Sequence, residues 1–157
     1  MVLFVCTGNI FRSLTAEYAL RRELGAQSAI AVASAGIHDY PHVVRPNVRD
    51  YLLEKGLDVR AHQRRTLTRE ILAPAELVIA MSTDHQRVLH ERFGRSAPVF
   101  LEACGGACEA LPDIEEVVLD YKTNTAAVEA HVRKTIDTII ELTPRLAQRL
   151  QELRSSR

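Results

Sequence analysis

Val2-Leu3-Phe4-Val5-Cys6-Thr7-Gly8-Asn9-Ile10-Phe11-Arg12-Ser13 runs from an apolar stretch through a cysteine and a Gly-Asn loop to an arginine and a serine. The apolar residues read as a short buried strand, and Arg12 and Ser13 open a helix. A strand feeding through a glycine-containing loop into a helix N-terminus makes an anion cradle. Its backbone N–H groups point inward, and the helix dipole favours negative charge. The same field favours thiolate over thiol, which predicts that Cys6 is a nucleophile. Arg12 offers the planar fork that holds two phosphate oxygens. Asn9 suits a left-handed position in a tight loop. The stretch Thr7, Gly8, Asn9, Ile10, Phe11, Arg12 and Ser13 is therefore the expected phosphate-binding segment. The expected chemistry is attack by Cys6 on phosphorus.

Working outward, 157 residues are about the size of one domain with a sizeable core, and the expected unit is 1–157. Twenty basic residues balance 20 acidic ones, so no nucleic-acid or membrane partner is expected. The apolar run Leu77 to Met81 is far too short to cross a bilayer. No basic-then-apolar leader precedes the first strand, so no secretory signal is expected. Three cysteines fit a reduced, cytoplasmic protein better than a disulfide scaffold.

Ala16, Leu20 and Leu24 share one face of a helix over 13–24 that Gly25 ends. Ala29 to Ala33 reads as a small-residue strand running into Ser34-Ala35-Gly36, and Ile37 to Pro46 as an irregular surface loop. Pro46 opens a helix reaching Gly56, and Thr68 caps a short one ending near Pro74. Leu77 to Met81 has the uninterrupted apolar character of a central parallel strand. Ser82 or Thr83 caps the next helix, which Gly94 stops. Pro98 to Leu101 is a fourth strand, and Glu102 to Tyr121 is mostly loop. From about Thr125, Val128, Val132, Ile136, Ile139 and Ile140 define a long helix. Pro144 kinks or restarts it with Thr143 as a possible cap, Leu146, Leu150 and Leu153 continue its face, and Ser155-Ser156-Arg157 frays. Alternating strands and helices predict an α/β fold in three layers, a four-stranded parallel sheet between helices. Ligands bind such sheets at the strands' carboxyl ends, where Cys6 stands.

Cys6, five residues, Arg12 and Ser13 directly after an N-terminal strand resemble the active-site loop of the low-molecular-weight protein tyrosine phosphatases. Ser34-Ala35-Gly36, Pro46, Gly56, His62 to Arg65, Met81 and Leu111-Pro112-Asp113 follow in the family's order over essentially the whole chain. The resemblance implies a metal-free, cofactor-free phosphomonoester hydrolase that forms a thiophosphate on Cys6. Its substrate would be a phosphorylated protein or a small phosphomonoester. It makes Asp113 the general acid that protonates the leaving oxygen and then deprotonates water, with Asp120 as the fallback in the same loop region. It also implies that Asn9 bonds Ser34 and stiffens the cradle, and that Ser13 donates to the Cys6 sulfur. His62 is either a member of that network or an ordinary loop or core residue.

Several positions depart from the family. Ile114 stands where a proline commonly follows the acid, and Leu14 where one follows the serine. Phe11 replaces the cysteine that commonly precedes the loop arginine and traps an oxidised nucleophile. Glu115 and Glu116 replace the aromatic residues that wall the site. Cys104 and Cys108 read as reduced, partly buried thiols or as a redox pair. Two further readings follow: an arsenate reductase on the same fold, and a catalytically weak phosphate-binding module. A related branch that dephosphorylates arginine carries a small polar residue two before the loop arginine. Ile10 in that place favours an aryl ester.

Overall fold

The computed structural model describes residues 1–39 and 43–155. Tyr40, Pro41 and His42 of the expected surface loop, Ser156 and Arg157 of the expected frayed tail, and the side chain of Leu153 lie outside them. A parallel sheet forms from β1 (Val2–Cys6), β2 (Val32–Gly36) and β3 (Leu77–Ala80), in the order β2-β1-β3. Val2 pairs with Val32 and Leu77, and Cys6 with Gly36. The helices are α1 (Arg12–Leu24), α2 (Pro46–Glu54), α3 (Arg69–Leu72), α4 (Thr83–Phe93), α5 (Phe100–Ala103), α6 (Ile114–Val117) and α7 (Thr125–Ser155).

Strand side chains alternate between faces, and β1 is buried on both. Val2, Phe4 and Cys6 pack with Ala16 and Leu20 of α1 and with Ile139, Leu146 and Leu150 of α7. Leu3 and Val5 pack the other way, with Leu72 of α3 and Leu89 of α4. Fully burying one such leucine or phenylalanine is worth about 1.5–3 kcal/mol. A third cluster, including Leu14, Val48, Leu52, Val132 and Ile136, fastens α2 to the α1–α7 pair. The three-layer expectation holds.

The fourth strand does not form. Val99 makes a single parallel bridge to Ala80, and the chain then turns into α5. Pro98 has no N–H for a ladder, and the Val99 N–H goes to Glu102 Oε2 at 3.3 Å. Phe100 is buried against Phe4, with ring centroids 6.2 Å apart. The sheet has three strands among the described residues. Strand β2 starts at Val32, later than expected, because β1 begins opposite it at Val2; the Val2 N–H still donates to Ala31 O at 2.8 Å, and the register pairs start with Val2 and Val32.

Thr68 and Ser82 cap α3 and α4 through their side chains, and Gly94 ends α4 in the left-handed region at φ 65°. Pro144 neither ends nor restarts α7. Thr143 is no cap either: its hydroxyl donates to the Ile139 carbonyl at 2.6 Å, one turn back in the same helix. The expected long loop after Glu102 contains α6, nucleated by a capping box. The Asp113 side chain accepts from Ile114 N, and the Glu116 side chain accepts from Asp113 N. No described helix is long and apolar enough to cross a membrane.

Candidate active site

Cys6 ends β1 at the sheet's carboxyl edge, and the loop from Thr7 to Phe11 wraps back over it before α1 begins. Two bonds pin the loop's start to the end of β2: Ile37 N–H to Cys6 O at 2.9 Å, and His38 N–H to Thr7 O at 3.0 Å. Gly36 must be glycine there, because a Cβ would stand 2.8 Å from the Gly8 carbonyl carbon. Asn9 takes φ 56°, as its position in the turn requires.

The loop is held from behind by buried polar groups. Asn9 Nδ2 donates to Ser34 Oγ at 2.7 Å and to Ser13 Oγ at 3.1 Å, and Asn9 Oδ1 accepts from Arg65 N at 3.0 Å. Ser34 Oγ donates to Glu17, a buried carboxylate that Arg21 pairs at 2.6 Å. Arg64 Nε donates to Gly8 O at 3.2 Å. His62 Nε2 lies 3.2 Å from Asn9 O, with its ring edge-on to Tyr18. Burial lowers the pKa of His62, so the ring is neutral at neutral pH.

Two donors converge on Cys6 Sγ: the Asn9 N–H at 3.3 Å and the Ser13 hydroxyl at 2.9 Å. Arg12 is only 2% exposed despite its charge. It donates through NH1 to Leu111 O at 2.8 Å and through NH2 to Thr7 Oγ1 at 3.1 Å, and its guanidinium pairs with Asp113. Asp113 Oδ1 accepts the Ile114 N–H at 2.8 Å, and the Asp113 N–H donates to Glu116 Oε2 at 3.0 Å. A proline at 114 would have no N–H for the first of these bonds.

Cys6, Ile10, Phe11, Asp113, Glu115 and Tyr121 are among the residues that line one concavity. Asp120 is not among them; its carboxylate accepts from Asn124 Nδ2 at 3.0 Å on the exposed side of its turn. Glu116 caps α6 and is not among the lining residues, whereas Tyr121, further along the chain, is. Glu115 alone of the two acids faces the cleft. All three cysteines are free. Burial pushes the Cys104 thiol up to about 12, and Cys108 is exposed.

Glu17 and His85 belong to the site and were not expected there. His85 is 3% exposed, with Nε2 at 3.0 Å from Thr7 Oγ1 and Nδ1 at 2.9 Å from Ser82 Oγ. Burial, with the Arg12 charge nearby, lowers its pKa to about 3. A signal for it exists in the sequence: Ser82 and His85 are three apart, directly after the carboxyl end of a parallel strand.

The sequence profile of the low molecular weight phosphotyrosine protein phosphatases matches residues 1–156. A protein-arginine-phosphatase of Bacillus subtilis (strain 168) is 35% identical over 97 residues, 60% of this chain and 63% of that protein. The low molecular weight protein-tyrosine-phosphatase Etp of Escherichia coli (strain K12) is 35% identical over 85 residues, 54% of this chain and 55% of its own. The matched stretch thus spans less than two thirds of either curated relative. The YwlE arginine phosphatase from Geobacillus stearothermophilus superposes with a TM-score of 0.81 at 26% identity, covering 99% of this chain and 95% of that one.

Proposed function

The chain belongs to the low molecular weight phosphotyrosine protein phosphatase family, and from that membership we propose that it hydrolyses phosphotyrosine, in a phosphorylated protein or a small aryl phosphate. One observation carries the reading: two donors meet at Cys6 Sγ on the same sheet edge as a buried arginine paired with a loop carboxylate.

The Cys6 sulfur anion attacks phosphorus, forming an S–P bond as the bond to the leaving oxygen breaks. Arg12 and the N–H groups of residues 7–13 hold the nonbridging oxygens, where charge builds in the transition state. Asp113 gives its proton to the departing oxygen. In the second step its carboxylate takes a proton from water, the water oxygen bonds to phosphorus, and Cys6 leaves as an anion received by the Ser13 hydroxyl and the Asn9 N–H. Ser34, His62 and the side chain of Asn9 keep the loop in shape and touch no reacting atom.

Ile10 lines the cleft and offers no acceptor for guanidinium N–H groups, which supports an aryl ester over phosphoarginine. An arsenate reductase would need a second reactive thiol, and the buried Cys104 is a poor nucleophile at neutral pH. The test is p-nitrophenyl phosphate hydrolysis beside phosphotyrosyl and phosphoarginyl peptides and thiol-dependent arsenate reduction. Turnover of the two aryl phosphates is expected. Preference for phosphoarginine or arsenate, or phosphate binding without turnover, overturns the reading.

A further inference from the structure

We propose that His85 is a positioning residue for the general acid: its Nε2–H forces the Thr7 hydroxyl to spend its one proton on Asp113. The inference rests on the phosphatase reading above and adds to it a buried group outside the catalytic loop.

The argument is a count of protons and lone pairs. Thr7 Oγ1 carries one proton and two acceptor sites. Three partners surround it: Arg12 NH2 at 3.1 Å, His85 Nε2 at 3.0 Å and Asp113 Oδ2 at 3.3 Å. Arg12 can only donate, so it occupies one lone pair. In its carboxylate form, the one it takes once its proton has gone to the leaving oxygen, Asp113 can only accept, so it takes the proton. One lone pair then remains for His85, whose Nε2 must carry hydrogen. Its Nδ1 is bare and accepts the Ser82 hydroxyl at 2.9 Å. Every proton in the chain Ser82–His85–Thr7–Asp113 has one direction. The opposite tautomer would leave Nε2 competing with Asp113 for the same Thr7 proton.

The ring can hold this arrangement because it does not ionise. Burial is the largest cause of its lowered pKa, Arg12 and His38 act in the same direction, and only the Asp113 carboxylate opposes them. It is fixed at the start of α4, where Ser82 Oγ also accepts the His85 backbone N–H. Asp113 is thereby gripped on both oxygens, Oδ1 by the Ile114 N–H and Oδ2 by Thr7 and Arg12. The chain is buried where the loop carboxylate alone would be free to swing, since the Asp113 side chain is 31% exposed.

Two measurements test this. Nitrogen-15 NMR of the wild-type imidazoles should find one ring in the Nε2–H form that does not titrate between pH 5 and 8, absent in His85→Gln. Kinetically, a general acid contributes about 10²–10⁴-fold, most for poor leaving groups, so partial misplacement should show as a selective loss. His85→Leu should raise the ratio of p-nitrophenyl phosphate to phenyl phosphate turnover about tenfold, with inhibition by inorganic phosphate unchanged within about twofold. His85→Gln, whose amide can offer an N–H to Thr7, should restore most of the ratio. An Nδ1–H or cationic ring, or equal losses on both substrates, overturns the inference. The NMR result decides alone if His85→Leu does not fold. Failure of the wild type to turn over either ester, with the ring as expected, instead overturns the phosphatase reading and the positioning role with it.

Discussion

Ser13 Oγ lies 2.9 Å from Cys6 Sγ while accepting Asn9 Nδ2 at 3.1 Å, so its own proton is aimed at sulfur. In the two-step mechanism proposed above, such a hydroxyl donates to the sulfur both as it attacks and as it is expelled. A hydrogen bond to a charged group is worth about 1.5–3 kcal/mol, so Ser13→Ala should lose about ten- to a hundredfold in turnover. Stopped-flow traces with p-nitrophenyl phosphate should then show a burst, because breakdown of the thiophosphate is the slowed step. Cys6→Ser should abolish turnover and keep phosphate binding. Appreciable turnover by purified Cys6→Ser would rule out the covalent route.

Arg12→Lys removes the planar fork and leaves Leu111 O without its donor. An ammonium cannot hold two phosphate oxygens in one plane. The expected loss in kcat/KM is about a hundredfold or more, by analogy with deleting a donor that faces transition-state charge. A rate within a factor of a few of wild type would mean that Arg12 does not hold the phosphoryl group.

Asp113→Asn should slow phenyl phosphate by about 10²–10⁴-fold and p-nitrophenyl phosphate far less, because nitrophenolate leaves without a proton. Asp120→Asn, whose parent side chain faces Asn124 outside the cleft, should change neither. Parallel rate measurements on the two esters decide it, and a leaving-group effect at Asp120 would move the acid there.

Stability should fall on mild acidification. His85 is neutral when folded, with its pKa lowered to about 3, whereas an exposed histidine in the unfolded chain protonates near its ordinary value of about 6.5. Below about pH 6.5 the unfolded state therefore binds the extra proton. Folding free energy drops by up to about 1.4 kcal/mol per pH unit until the folded ring also protonates. His62, lowered by burial, contributes in the same direction. Urea midpoints at pH 7, 6 and 5 should decline for wild type and decline less for His85→Gln; equal slopes would contradict the buried neutral ring.

Peroxide should inactivate the protein without rapid recovery in thiol. Phe11 supplies no sulfur beside Arg12, and the thiol of Cys104, pushed up to about 12 by burial, is a poor trap for oxidised Cys6. Mass spectrometry should find Cys6 oxygenated; a Cys6–Cys104 or Cys6–Cys108 disulfide would reverse the expectation and favour a relay.

The cradle is legible in the sequence because its parts are neighbours in the chain. Cys6, Asn9, Arg12 and Ser13 fall within one strand-loop-helix turn, so spacing alone aims them at a common point. The helix caps at Thr68 and Ser82 and the stop at Gly94 are legible for the same reason, each depending on the next turn only. The fourth strand misleads because the apolar run around Val99 suits a strand and a short helix equally, and the Glu102 cap with burial of Phe100 against Phe4 chooses the helix. Glu17 draws no notice in the sequence, and its place is set only when Ser34 and Arg21 enclose it. His85 acquires meaning only when β3 lies parallel beside β1 and brings α4's first turn to Thr7, 78 residues away in the chain. Local spacing determines which groups can cradle an anion. Which distant groups then orient them depends on sheet register and buried packing, which are energies of the whole chain; a short stretch such as Ser82 to His85 can offer a candidate group but not the partner it will meet.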